Sequence, residues 1–195
     1  MKHSKKGTVQ TIITMIILGG LVFSTFMYFS NREDKEKTEV KVELTEVEKI
    51  LDQDLTKEYP PTAREVIKRY SRIVKCIHSE EVSEEEIIQL GDMVLSLYTD
   101  ELKENNPREE YMEQLLEEVK EYRSFKKTVI SYAIDSGENT ITWTEDGVEY
   151  ARLLATFTTQ DDTGFNRVYE EFVLKKENQN QWKILGWRLA EPKDR

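Results

Sequence analysis

Apolar side chains recur with three different spacings along the chain, and the spacing divides it. Over residues 11–29 the run is continuous: Ile, Leu, Met, Val and Phe dominate, and no charged side chain lies between Lys6 and Arg32. As a helix rising about 1.5 Å per residue, that run spans roughly 29 Å, close to the hydrocarbon thickness of a bilayer. Residues 30–44 alternate acids and lysines with almost no apolar content, the pattern of a solvated tether. Apolar positions then fall three and four apart over 45–126, and from Lys127 the period moves toward two, with β-branched and aromatic residues in excess.

Helix starts are announced by capping chemistry. Thr45-Glu46-Val47-Glu48 matches the capping box and opens a short helix with Val47, Ile50 and Leu51 on one face, before Tyr59-Pro60-Pro61 breaks the chain. Thr62-Ala63-Arg64-Glu65 is a second such box, followed on one face by Val66, Ile67, Tyr70, Ile73, Val74 and Ile77. Ser83-Glu84-Glu85-Glu86 opens a third helix, expected to bury Ile87, Gly91, Val94, Leu95, Tyr98 and Leu102. Asn106 is read as the next cap with Pro107 at the first helical position, ahead of the stripe Tyr111, Met112, Leu115, Leu116, Val119 and Tyr122. Strands are expected near 128–135, 139–145, 148–160, 166–176 and 181–190, separated by Ser136-Gly137, Asp146-Gly147, Asp161-Asp162-Thr163-Gly164 and Asn178-Gln179-Asn180. The fold class this implies is α+β: three to four helices (45–126) packed on a bent antiparallel sheet of four to five strands (127–190). The domain plan is a short basic tail (1–10), a transmembrane helix (11–29), the tether (30–44) and one folded domain (45–195).

Charge orients this plan. The formal charge is −10, yet residues 1–32 hold Lys2, Lys5, Lys6 and Arg32 and no acid. Basic residues before the apolar run, and Glu33-Asp34 after it, favour a cytoplasmic N-terminus and a folded domain outside the cell membrane. A cleaved signal peptide is the competing reading. Against it stand the length of the apolar run, the absence of small residues in Phe26-Met27-Tyr28-Phe29, and the lack of a cysteine placed for lipidation. So acidic a body repels phosphate backbones, which argues against a nucleic-acid partner. Cys76 is the sole cysteine, so no internal disulfide forms, and its apolar surroundings read as those of a packed small hydrophobe.

Helices leading into an antiparallel sheet closed by Val168-Tyr169-Glu170-Glu171-Phe172-Val173-Leu174 and Trp182-Lys183-Ile184-Leu185-Gly186-Trp187 resemble the cone-shaped nuclear-transport-factor-two-like superfamily. More narrowly, Tyr59-Pro60-Pro61-Thr62-Ala63-Arg64-Glu65-Val66, with Leu97-Tyr98-Thr99-Asp100-Glu101-Leu102 and Asn106-Pro107, is similar to a family of membrane-anchored proteins from clostridial-type Gram-positive bacteria. The first resemblance implies a cone-like fold and leaves open isomerases, dehydratases, ligand carriers and structural modules; some such relatives are anchored components of conjugation or secretion machines. The second brings no activity.

Few residues carry a chemical signature. His78, near a helix end, is explained by the attraction of a cation for the C-terminal dipole. With one Cys and no second His in the folded domain, a usual zinc site has no ligands, and Asp161-Asp162-Thr163-Gly164 reads as a hairpin turn rather than a calcium loop. Glu170 and Glu171 alternate across a strand, so only one of them can enter a pocket. Tyr132, Trp143, Tyr150, Phe157, Tyr169, Phe172, Trp182 and Trp187 fall on expected strands, where core packing accounts for most of them and a concave pocket for the rest. No catalytic residue, cofactor or metal ligand is assigned. The leading expectation is a non-enzymatic, tethered module that binds a protein partner, within an envelope or secretion/conjugation-type assembly. A small-ligand-binding cone comes second and an isomerase- or hydrolase-like enzyme third. An apolar cavity of a few hundred Å³, lined by aromatics and one buried acid, would favour the latter two.

Overall fold

Backbone groups left free at helix starts are satisfied largely as the capping sequences imply. In the computed structural model, which describes residues 44–55, 57–79, 81–177 and 180–191, the helices are α1 (Glu46–Leu51), α2 (Ala63–Ile77), α3 (Glu84–Ser96), α4 (Asp100–Glu104) and α5 (Arg108–Ser124). The expected membrane span at 11–29 and the tether before Leu44 lie outside the described residues; among those described, no helix is long and apolar enough to cross a membrane. Thr45 and Ser83 form complete capping boxes with Glu48 and Glu86. Thr62 makes only half of one: its hydroxyl accepts from the Glu65 N–H at 3.2 Å, while the Glu65 carboxylate meets Lys68 at 3.3 Å instead of returning to the cap.

Two expectations about the middle helices are corrected. The helix beginning at Ser83 does not run through to Leu102; it ends at Ser96. There the chain turns to pair with the last strand, the Ile184 N–H donating to Leu97 O at 2.8 Å and the Thr99 N–H donating to Ile184 O at 2.9 Å. Thr99 then caps α4, accepting from the Leu102 N–H at 3.1 Å. Asn106 does not cap α5. Its side-chain amide donates back to Leu102 O at 2.8 Å, closing α4, and Pro107 occupies the cap position without a side-chain bond. A proline has no N–H to be capped and a φ suited to helix entry, so the start tolerates this.

The strands are β1 (Thr128–Ile134), β2 (Ile141–Glu145), β3 (Val148–Asp161), β4 (Gly164–Glu177) and β5 (Gln181–Leu189), all antiparallel. The expected start of the second strand at 139 is instead a 3-10 turn, Gly137–Asn139. Long β3 is the spine: β4 pairs along one edge, while β2 and β1 share the other end to end, at Val148–Arg152 and Ala155–Gln160. Asp146 and Gly147 both have positive φ, +49° and +79°, as a two-residue hairpin turn with the right-handed strand twist requires.

Burial alternates along β3, with Ala151, Leu153, Ala155, Phe157 and Thr159 buried beneath the helices. The core joins them to Ile67, Ile73, Ile77, Leu90, Val94, Leu97, Tyr98, Phe172, Leu174 and Ile184. Leu90 and Leu97 are buried where the pattern predicts Leu95 and Leu102, which are only partly covered; Leu102 lies beyond the end of α3 and cannot share its face. Gly91 lets α3 and α5 approach: a Cβ there would sit 2.7 Å from Met112 Sδ.

Ile184 has no exposed surface and its backbone joins the helical layer to the sheet. Ile184→Ala is expected to lower the unfolding free energy by roughly 2–5 kcal/mol, the usual cost of truncating a buried Ile. Urea denaturation followed by circular dichroism checks this; a loss below about 1 kcal/mol would show that the junction tightens the fold little.

Candidate functional site

On β4 the helix-facing positions are Val168, Glu170, Phe172 and Leu174, so one carboxyl stands in a row of apolar side chains. Glu171 faces the other way, pairing with Arg188 and lying near Arg152. Directly across β3 from Glu170 is Ala155, whose methyl cannot fill the space above it. The helices come down around that space. Spacings of four, three and four bring Tyr111, Leu115, Glu118 and Tyr122 to one side of α5; α2 supplies Tyr70, Val74 and its C-cap His78; Tyr98 arrives from the junction after α3.

Trp187 reaches the same place because of an irregularity in β5. Val173 pairs with Gly186 but Leu174 pairs with Ile184, which leaves Leu185 as an extra residue. Ile184 is buried under the helices, and strict alternation would point residue 187 to the opposite face. The bulge restores it to the helix side, where it stacks on Phe172 (6.0 Å between centroids) and approaches Tyr98 (5.7 Å) and Tyr70 (6.1 Å). Together these residues line a cleft of about 300 Å³. Tyr70 and Tyr98 are buried in its floor, while Trp187 stays 39 % exposed at its edge.

The two carboxyls of the cleft are in opposite states. Burial pushes Glu170 up to about 7, and the neighbouring charge of Glu118 adds to the shift. Glu170 has no hydrogen bond or ion pair with any described residue. Glu118 is held below the usual carboxylate range, first by the hydrogen bond from His78 (3.2 Å) and then by the charges of His78 and Lys127. His78 is buried, with Nδ1 2.9 Å from Val74 O and Nε2 facing Glu118, so each ring nitrogen has an acceptor. Burial holds the Tyr70 and Tyr98 hydroxyls well above their ordinary range and Tyr111 at about 12, so all three remain protonated hydrogen-bond donors.

Beyond His78 and Tyr122 lies a second hollow of about 270 Å³ containing Arg123, Lys126 and Lys127. Its cations are engaged: Arg123 donates to Val82 O, Lys126 to Asp162, and the Lys127 ammonium stands 4.3 Å from the Tyr122 ring centre.

Other residues weighed from the sequence have structural roles. Cys76 is buried, and burial pushes its thiol up. Asp161 builds the hairpin turn, accepting from Thr163 Oγ1 (2.6 Å), Thr163 N–H (2.7 Å) and Gly164 N–H (3.2 Å), bonds that hold its carboxyl low. Trp143 and Tyr150 stack on each other, with centroids 5.4 Å apart, on the β2–β3 hairpin. Of the strand aromatics, only Phe157 and Trp187 reach the cleft; its tyrosines come from the helical part of the chain. Glu118 carries no motif of its own in the sequence; its one signal is its place three residues after Leu115 and four before Tyr122, within an otherwise apolar stripe. Among the described residues no three His, Cys, Asp or Glu side chains converge as metal ligands would.

The family model described as Domain of unknown function (DUF6715) matches residues 1–187, and the chain belongs to that family. No curated protein matches it. Among solved structures, it is similar to the solution structure of TraH, a candidate transfer protein of the Gram-positive conjugative plasmid pIP501. The identity is 16 % and the TM-score 0.37, over 69 % of this chain and 98 % of that one. A likeness at that score decides neither fold nor role.

The raised Glu170 carboxyl gives a pH dependence of definite sign. The folded state holds this proton more tightly than the unfolded chain does, so the stabilisation is complete below the ordinary value of 4.5 and is lost as pH rises through about 7. Glu118, shifted the other way, acts only below the ordinary range. Between about pH 5 and pH 8, Glu170→Gln should therefore remove roughly 2 kcal/mol of pH-dependent stability, discounted for partial exposure. Urea unfolding at the two pH values measures it, and an unchanged slope in the variant would mean that Glu170 is not desolvated.

Proposed function

We propose that this member of the family is a membrane-tethered domain, held outside the cytoplasm, whose cleft binds a small ligand with an apolar body and a polar end. One observation carries the reading: an unpartnered, half-buried carboxyl, Glu170, opens into a cleft of about 300 Å³ walled by tyrosines and Trp187. Concave, mostly apolar spaces with a few convergent polar groups are where ligands bind, and a desolvated acid without a partner is costly unless something occupies the site. The cone form of the nuclear-transport-factor-two-like superfamily belongs to the same proposal. Helices on one face of a long-stranded antiparallel sheet support it, as do bulges at Val129/Ser131 and Val173/Leu174 that bend the outer strands.

The tether rests on the sequence, namely the uncharged apolar run at 11–29 with basic residues before it and acids after. It would hold the cleft at the outer face of the membrane, alone or within an envelope assembly. A protein partner has less support in the described surface. The most exposed large apolar side chains, Phe165 (71 %) and Leu189 (75 %), lie apart along β4: Phe165 is near the hairpin tip, whereas Leu189 pairs with Glu170. These two do not adjoin, as side chains of one interface patch would.

An acid-base enzyme is the second reading, favoured by two cleft carboxyls whose ionisation is driven in opposite directions. It requires Glu170→Gln to abolish turnover while leaving binding nearly intact, whereas a binding domain has no turnover to lose.

Two measurements test the main reading. Fragment screening of the full-length chain by NMR should find small apolar molecules that shift the Trp187 indole N–H and not that of Trp143; if every hit shifts both or neither, the cleft is not a binding site. External protease added to intact cells should remove the folded domain, and salt washing should leave the chain on membranes. Protection of the domain, or release into the wash, would refute the tethered placement.

A further inference from the structure

We propose that the ligand of this cleft is a small organic cation, an alkylammonium seated against the rings of Tyr111 and Trp187 and neutralised by the carboxylates of Glu118 and Glu170. The inference rests on the ligand-binding reading above and names the chemistry of its occupant.

Three observations point the same way. First, among the described residues the lining contains two acids and neither Lys nor Arg, and its single basic side chain, His78, is already held between Val74 O and Glu118. An anion entering this space would meet the ionised Glu118 with no free cation to receive it, which disfavours acidic ligands. Second, the accessible walls are electron-rich rings. Trp187 stands at the edge 39 % exposed, and Tyr111 lies across Tyr98 at 6.2 Å and 77°. Ring faces attract a desolvated ammonium group and offer nothing comparable to a neutral molecule of the same shape. Third, Glu170 lacks any partner among the described residues, although its carboxyl stands in the apolar row between Val168 and Phe172. A cation is the partner that would make its ionised form favourable there. A bare divalent ion fits less well, because no three ligating side chains converge among the described residues.

Binding should then be linked to proton release. The titratable groups that line the cleft with Glu170 are Tyr70 and His78 from α2, Tyr98 from the junction, and Tyr111, Glu118 and Tyr122 from α5. Tyr70, Tyr98 and Tyr111 stay protonated, and Glu118 is already ionised, so Glu170 is the acid whose proton a cation displaces. Affinity for a cation should rise between about pH 6 and pH 8, and this rise should vanish in Glu170→Gln.

The test uses the full-length chain in nanodiscs of phosphatidylglycerol, which carries no ammonium group. Choline is titrated against its uncharged isostere 3,3-dimethylbutan-1-ol, with binding read by calorimetry and by the Trp187 indole resonance. Choline should bind at least about tenfold more tightly than the isostere, a difference within the range of a desolvated cation–ring contact plus a carboxylate. Trp187→Leu and Glu170→Gln should each weaken choline by roughly tenfold, whereas Trp143→Leu, on the distant hairpin, should leave it unchanged. Trp187→Leu keeps both acids and Glu170→Gln keeps the rings, so the two variants report separately on the two halves of the site.

Equal affinity for choline and its isostere would overturn the cation and leave the cleft as a binding site. Apolar fragments that bind where choline does not would do the same; if neither binds, both readings fall. Repeating the titration in phosphatidylcholine discs distinguishes the source of the cation. A Trp187 resonance already shifted without added choline identifies a lipid headgroup as the ligand, and an unshifted resonance identifies a free ammonium; both outcomes support the proposal.

Discussion

Ile184 has both its backbone hydrogen-bonding groups turned away from the sheet, toward Leu97 and Thr99. An antiparallel edge strand leaves every second residue's N–H and C=O unpaired, and here the helical layer supplies the partners. Much follows from those two bonds. They stop α3 at Ser96, so that the following residues start a separate short helix rather than another turn of the same one. They cover part of an edge that would otherwise be open. They also fix Tyr98, whose side chain is almost wholly buried between the layers, as a wall shared by the core and the cleft.

The electrostatic character of the cleft is a consequence of layering. Packing α5 against the sheet carries Glu118 to a place where His78 can reach it, and the same packing removes water from Glu170 on the opposite wall. One acid gains a donor and the other loses its solvent, which is why identical side chains hold their protons so differently. Neither effect needs an unusual residue. Both arise because a helix stripe and a strand row each contain one glutamate where an apolar residue would pack more readily.

Period and turn chemistry made most of the architecture legible. The helical stripes through Ile67, Ile73 and Leu115, the alternation along β3, and the punctuation at Asp146-Gly147 and Asp161–Gly164 fall where their residue types place them. What escaped was long-range. Nothing local to Leu97 announces that its carbonyl will be claimed by a residue nearly ninety positions later, so the local pattern predicts a continuing helix. Asn106 has the composition of a cap, yet the carbonyl of Leu102 lay closer than the next helix start. The cleft was hidden for a related reason. Strict alternation from Ile184 turns Trp187 outward, and only pairing with β4, which leaves Leu185 unmatched, brings it back. Glu118 and Glu170 were readable as misfits in apolar patterns, but their environments depend on which misfits end up face to face.

The shared edge of β3 sets a limit on how this chain can change. One fourteen-residue strand aligns β4 on one side and both β1 and β2 on the other. Side chains on a strand alternate between faces, so one residue inserted or deleted midway would turn the far half of the strand inside out relative to the near half. Both edges would lose their alignment in the same event, and the oily row beneath the helices would trade places with the wetted one. Variation in length among descendants of this gene should therefore collect at the hairpin tips and spare the spine altogether.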